Sequence, residues 1–165
     1  MTDLATALAA PGQPAAYLAA LERLVDDTIG VKLFTLMALD RARGVARRSH
    51  SNMPDAYPVS GEKPFPDNDW MTVIEAGRTF VANDDAAVAA TFFDHELIRS
   101  LGCGSCLNLP VTVDGEVVGT LNCLHDAGHY TPDRVAAAES LKLPGAVAFL
   151  LARAQAPAAM ETAYA

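Results

Sequence analysis

Residues 101–132, LGCGSCLNLPVTVDGEVVGTLNCLHDAGHYTP, hold the reading that decides the fold. Two apolar-rich runs flank Asp114-Gly115, and an Asp-Gly pair suits a two-residue type I′ turn because glycine takes positive φ without steric cost. The stretch is therefore expected to be a β-hairpin leading into a helix at Thr131-Pro132, an N-cap followed by a favoured first helical residue. A regular hairpin pairs Val113 with Glu116, Thr112 with Val117, Pro110 with Gly119, Asn108 with Leu121 and Cys106 with Cys123. The two cysteines then form a non-hydrogen-bonded pair with Cα atoms about 4.5 Å apart, within reach of a disulfide. In this register Asn108 and Asn122 face opposite ways, while Cys106, Asn108, Cys123 and His125 share a face. A one-residue bulge would separate the two thiols onto opposite faces.

Outward from the hairpin, Leu18, Leu21, Val25 and Ile29 recur at helical spacing between Pro14 and Gly30, which predicts an amphipathic first helix. Val31 to Asp40 and Val45 to Ser51 read as two strands joined by a turn at Arg41 to Gly44. Asn52 to Asp69 carries Pro54, Pro58, Gly61, Pro64 and Pro66, and reads as a long irregular connection of the kind that often forms a lid. Trp70 to Ala76 is expected to be a short helix, Thr79 to Asn83 a strand and Asp94 to Leu101 one or two helical turns. The long terminal helix after Thr131 should kink or split at Pro144. Residues 1–12 and 157–165 read as flexible tails around a single domain at 13–156.

Composition bounds the function. The chain has 165 residues and is 51% hydrophobic and 19% charged, which suits one well-packed domain with a core that needs no staples. Its net charge of −8 argues against nucleic-acid and anionic-membrane partners, which are bound through Lys and Arg. The sequence shows neither the positive n-region of a signal peptide nor an apolar run of transmembrane length, so a cytoplasmic location is expected. Three cysteines in that setting are expected to be reduced thiols. Cys103-Gly-Ser-Cys106 has the spacing of half a metal site, but no second CxxC or close His pair completes it, so neither metal nor cofactor is expected.

The order of elements, and above all "LGCGSCLNLPVTVDGEVVGTLNCLH" followed by "HYTPDRV", resembles the GAF domain family from about Pro14 to Arg153. The resemblance implies an α+β fold, GAF-like and PAS-like. A central antiparallel sheet would carry the terminal helices on one face and a ligand pocket under loops on the other. It also implies a sensor-type domain that binds a small molecule and forms a homodimer through its terminal helices. With no visible cluster of Arg to grip a phosphate, a neutral or zwitterionic metabolite is the expected ligand.

Polar residues set in apolar strands are candidate pocket groups: Ser49, His50, Asn108, Asn122 and His125, with Asn108 favoured alongside Cys106, Cys123 and His125. Tyr57, Phe65, Trp70, Phe92, Phe93 and His95 lie in segments the family places over its pocket, where they either enclose a ligand or pack as a lid. One branch of the family, the free methionine-(R)-sulfoxide reductases, is enzymatic. By that likeness a thiol reductase using Cys106 with Cys123 or Cys103 is the alternative reading. The carboxylates of that branch have no counterpart after Cys103 or in the strand Leu121 to His125.

Overall fold

The computed structural model describes residues 3–155. Helices are α1 (Leu4–Ala9), α2 (Ala15–Ile29), α3 (Asp69–Glu75), α4 (Asp85–Thr91), α5 (His95–Ser100), α6 (Pro132–Ala138) and α7 (Lys142–Gln155). Strands are β1 (Leu33–Asp40), β2 (Val45–Ser51), β3 (Glu62–Pro64), β4 (Phe80–Ala82), β5 (Ser105–Val113) and β6 (Glu116–His125). They form one antiparallel sheet in the order β3-β2-β1-β6-β5-β4. The expected α+β architecture is the observed one.

The strip Leu18, Leu21, Val25 and Ile29 of α2 is buried as its spacing requires. It meets Phe34 and Leu36 of β1, Leu107 and Leu109 of β5, and Leu121 and Cys123 of β6, with Phe149 of α7 closing the same core. Gly119 and Gly145 allow this close approach: a Cβ on Gly119 would lie 2.4 Å from the Phe149 ring, and one on Gly145 2.6 Å from Leu121. Met37, Leu39, Ala46 and Val117 face the other way, toward Trp70, Met71 and Ile74 of α3.

Several expectations need correction. The N-terminal segment expected to be a flexible tail contains α1, because the Asp3 carboxylate accepts hydrogen bonds from the backbone N–H groups of Ala5 and Thr6. The long connection after β2 is not wholly irregular, since β3 within it extends the sheet. Helix α4, capped by Asp84, falls in a stretch to which no element was assigned. The terminal helix does split: a 3-10 turn at Glu139–Leu141 separates α6 from α7, and Pro144 sits in the first turn of α7, where a missing N–H is tolerated. Contrary to the sequence reading, Pro132–Gln155 is long and apolar enough by length and composition to cross a membrane, at a mean hydropathy of 1.5. Part of it lies in the core, where Ala138, Leu141, Ala148 and Phe149 are buried. The expected tail at 157–165 lies outside the described residues.

The hairpin turn is as read, with Asp114 at φ 52° and Gly115 at φ 78°, both positive as a type I′ turn demands. Its register is not. Val113 pairs with Glu116 and Thr112 with Val117, but Val111 then pairs with Gly119, leaving an extra residue on β6. Every pair beyond this bulge shifts by one: Asn108 opposes Asn122, Leu107 opposes Cys123 and Cys106 opposes Leu124. Cys106 and Cys123 therefore point to opposite faces, and the expected juxtaposition of thiols does not exist.

Candidate functional site

The shift of register that separates the cysteines brings the amides together. On the sheet face away from α2 and α7, residues stand in cross-strand rows. Thr35, Asn122 and Asn108 form one row, and Met37 with Arg48 and Thr120 forms the next. Counted from the hairpin turn, regular pairing sets Arg48 opposite Met37; beyond it β2 has its own bulge, with Ser49 the extra residue, so that His50 opposes Leu36. Lys63 follows from β3, opposite Ala46.

The amide row is bonded from end to end. Trp70 Nε1–H donates to Asn108 Oδ1 at 2.8 Å, Asn108 Nδ2 donates to Asn122 Oδ1 at 2.6 Å, and Asn122 Nδ2 donates to Thr35 Oγ1 at 3.2 Å. All four residues are buried. Buried amides demand such partners, and a chain of them fixes each side chain in one orientation.

Above this row lies a cavity of about 50 Å³, walled by the sheet and roofed by Trp70, Tyr57, Phe92, Asp94 and Ile98. Tyr57 ties two roof segments together, its hydroxyl donating to Asp94 Oδ2 at 2.8 Å while the Arg48 guanidinium lies 5.0 Å from its ring centroid. Burial and the Asp94 carboxylate both hold the Tyr57 hydroxyl protonated, well above its ordinary range. Burial lowers the basicity of Lys63, an effect that Asp94 opposes through space. Arg48 Nη1 donates to the Pro58 carbonyl at 3.0 Å, but its Nε has no partner among the described residues, and neither has the Thr120 hydroxyl.

Of the residues predicted from sequence, Tyr57, Trp70, Phe92, Cys106, Asn108 and Asn122 line this cavity. Others do not. His50 points to the helical side, with Nε2 3.0 Å from Glu22 Oε2 and its ring 5.6 Å from Phe34, because the Ser49 bulge sets it opposite Leu36 and puts Ser51 opposite Thr35. Phe93 is 85% exposed, since Phe92 takes the inward position as C-cap of α4. His95 opens α5 outside the cavity lining. Cys123 lies in the helix-side core. His125 stands at the end of β6, stacked on His129 with ring centroids 3.5 Å apart, and its Nδ1 accepts from the Asp126 backbone N–H. Sequence reasoning missed Arg48, Lys63, Asp94 and Thr120. Lys63 could not be placed without β3; a glycine at position 119, inside a strand pattern, was the available signal for the β6 bulge.

The thiols are poorly suited to nucleophilic chemistry. Burial pushes Cys106 up to about 12, raises Cys123 further, and raises Cys103 against the opposing effect of Lys32. Native protein at pH 8 is expected to leave Cys106 and Cys123 unmodified by iodoacetamide over hours, while urea-unfolded protein loses all three thiols within minutes. Rapid alkylation of native Cys106, read by peptide mass mapping, would contradict this. Among the described residues no group of three or more His, Cys, Asp or Glu side chains is placed to hold a metal.

His125 is held below its ordinary value, first by burial and then by His129 stacked on it. Protonation therefore favours the unfolded chain, so its contribution to stability is full above about pH 6.5 and declines as pH falls below that value. Melting temperature is expected to drop more between pH 7 and pH 5 in the native sequence than in His125→Asn. Parallel pH profiles would remove His125 from the account.

The architecture has known counterparts. The GAF domain from a phosphoenolpyruvate-protein phosphotransferase of Coxiella burnetii superposes with a TM-score of 0.68 at 19% identity, covering 91% of this chain and 89% of that one. The GAF domain of a two-component sensor histidine kinase from Bacillus halodurans gives 0.64 at 14% identity, covering 83% and 93%. Free methionine-R-sulfoxide reductase from Neisseria meningitidis, solved in complex with its substrate, gives 0.67 at 16% identity, covering 93% and 87%. These likenesses concern the fold. No curated protein sequence matches the chain. Residues 14–149, spanning α2 through Phe149 of α7 and every strand of the sheet, match the GAF domain family, and the chain belongs to that family.

Proposed function

We propose that this chain is a sensor-type domain that binds a small organic molecule in the cavity between the sheet and its roof. The observation that carries the reading is the bonded row Trp70, Asn108, Asn122 and Thr35, which walls a cavity with oriented polar groups where an apolar core would have served stability better. The sensor kinase domain of the same fold supports a signalling role. The reductase alternative is disfavoured: Cys106 and Cys123 face opposite sides of the sheet, and burial keeps the thiols protonated.

Native mass spectrometry of gently purified protein tests the reading. A stoichiometric small-molecule adduct that is released on denaturation, and that raises the melting temperature when added back, is expected. Absence of any adduct, together with no thermal shift from a metabolite extract, would sink it.

We further propose a cytoplasmic homodimer. The three free thiols suit a reducing compartment. In α7, Leu143 and Leu150 stay 75% and 47% exposed, apolar surface that a second copy would cover. Sedimentation should give a dimer at micromolar concentration, and a monomer for the Leu143→Glu, Leu150→Glu double variant. A monomeric native chain would refute the dimer.

A further inference from the structure

Three polar groups of cavity-lining residues have no hydrogen-bond partner among the described residues. The Thr120 hydroxyl is on a residue only 1% exposed, lines the cavity and has no hydrogen-bond partner among the described residues. Arg48 Nε is buried and equally unpartnered. Lys63, half-buried on β3, also lines the cavity and has neither hydrogen bond nor ion pair among the described residues, feeling Asp94 through space. An unsatisfied buried polar group is costly and rare in native proteins. Two such groups, with the unpaired Lys63 beside them, give this cavity the polar lining of a binding site.

Their chemistry selects the ligand. Arg48 and Lys63 bring two positive charges to the lining and Asp94 one negative, leaving the site one negative charge short of neutrality. Asp94 is already engaged by the Tyr57 hydroxyl, which makes it a weaker seat for a ligand ammonium. Thr120 and Arg48 share a row across β1, so a hydroxyl and a guanidinium approach the same space from one line. The cavity of about 50 Å³ holds roughly three to five water-sized groups. A phosphate ester of nucleotide size is too large and too highly charged.

Resting on the proposal that this cavity binds a small molecule, we infer that its ligand is a small monocarboxylate of roughly four to six heavy atoms, its carboxylate held between Lys63, Arg48 and the Thr120 hydroxyl. The apolar end of such a molecule meets Met37, Leu39 and Phe92, which line the same cavity.

Trp70 is the chain's single tryptophan and stands in the cavity wall, so its fluorescence reports occupancy directly. The full chain is titrated with acetate, propionate, lactate and pyruvate, with acetamide, propionamide and lactamide, and with glycine and alanine, all against chloride at equal ionic strength. At least one carboxylate is expected to shift the emission saturably and to raise the melting temperature, with its amide at least tenfold weaker. Lys63→Met is expected to weaken that carboxylate at least tenfold without lowering the melting temperature of ligand-free protein. Lys63→Arg should restore most of the affinity, and Thr120→Val should weaken binding several-fold.

An amide that binds as tightly as its carboxylate, or a Lys63→Met affinity within twofold of the native chain, overturns the inference. Glycine or alanine binding where the carboxylates fail also overturns it, but leaves the cavity reading standing. No response to any probe overturns it too, and the native mass spectrum then decides whether the cavity reading falls with it: an adduct lacking a carboxylate spares that reading, and no adduct removes it.

Discussion

Asn108→Ala is expected to cost about 3–5 kcal/mol, because it removes the centre of a buried chain and strands both neighbours. Trp70 Nε1–H loses its acceptor and Asn122 Oδ1 loses its donor, in a site where both residues are buried. Each orphaned group costs about 1–3 kcal/mol, and the space left by the amide adds a cavity penalty. Against a total stability of about 5–15 kcal/mol this is a large fraction, equivalent to a fall in melting temperature of about 10 °C for a domain of this size. Urea denaturation followed by Trp70 fluorescence measures both consequences, since the released indole should also emit further to the red. A loss below about 1 kcal/mol would mean that the row is not the rigid element described here.

Gly119→Ala is expected to be as damaging for the opposite reason. The added Cβ would lie 2.5 Å from the Met37 carbonyl oxygen and 2.4 Å from the Phe149 ring. The ring could rotate away at some loss of packing, but the carbonyl belongs to the neighbouring strand and cannot move without breaking the β1 and β6 ladder. Overpacking typically costs about 1–3 kcal/mol, and a clash with backbone in a central strand belongs at or above the upper end. Because Gly119 is the first paired residue past the β6 bulge, the substitution also strains the register that aligns Asn108 with Asn122. Stability within about 0.5 kcal/mol of the native chain would show that the sheet and α7 can separate at this point without penalty.

What the sequence disclosed and what it withheld follow from the same physics. Leu18, Leu21, Val25 and Ile29 could be assigned to a buried helix face because a 3.6-residue period is a property of the helix alone. Asp114-Gly115 could be assigned to its turn because only a few residue pairs accept two positive φ angles. Strand faces are different, since a side-chain period of two means that one unseen bulge inverts everything beyond it. The bulge next to Gly119 put Cys106 and Cys123 on opposite faces and set Asn108 against Asn122. The bulge at Ser49 turned His50 to the helical face and set Ser51 opposite Thr35. Phe92 and Phe93 differ by one residue at the end of α4, and only the termination of that helix decides which of them points inward.

The charged part of the site was the least legible. Lys63 lies in a connection rich in proline and glycine, and it reaches the cavity only because three residues there pair with β2. Asp94 arrives from the junction between α4 and α5 and is fixed by a hydrogen bond from Tyr57, 37 positions earlier in the chain. Neither relation leaves a local pattern. The expectation of a neutral or zwitterionic ligand rested on seeing no cluster of Arg in sequence; strands β2 and β3 bring Arg48 and Lys63 to the cavity lining.

The most direct test of the central claim, that the Trp70, Asn108 and Asn122 side of the sheet is the ligand face, is a ¹H–¹⁵N spectrum of the labelled chain with and without the molecule recovered from native protein. The single indole N–H of Trp70 and the side-chain amides of Asn108 and Asn122 should shift, while the backbone amides of α2 and α7 stay in place. Shifts confined to the helical face, with the indole signal unmoved, would contradict it.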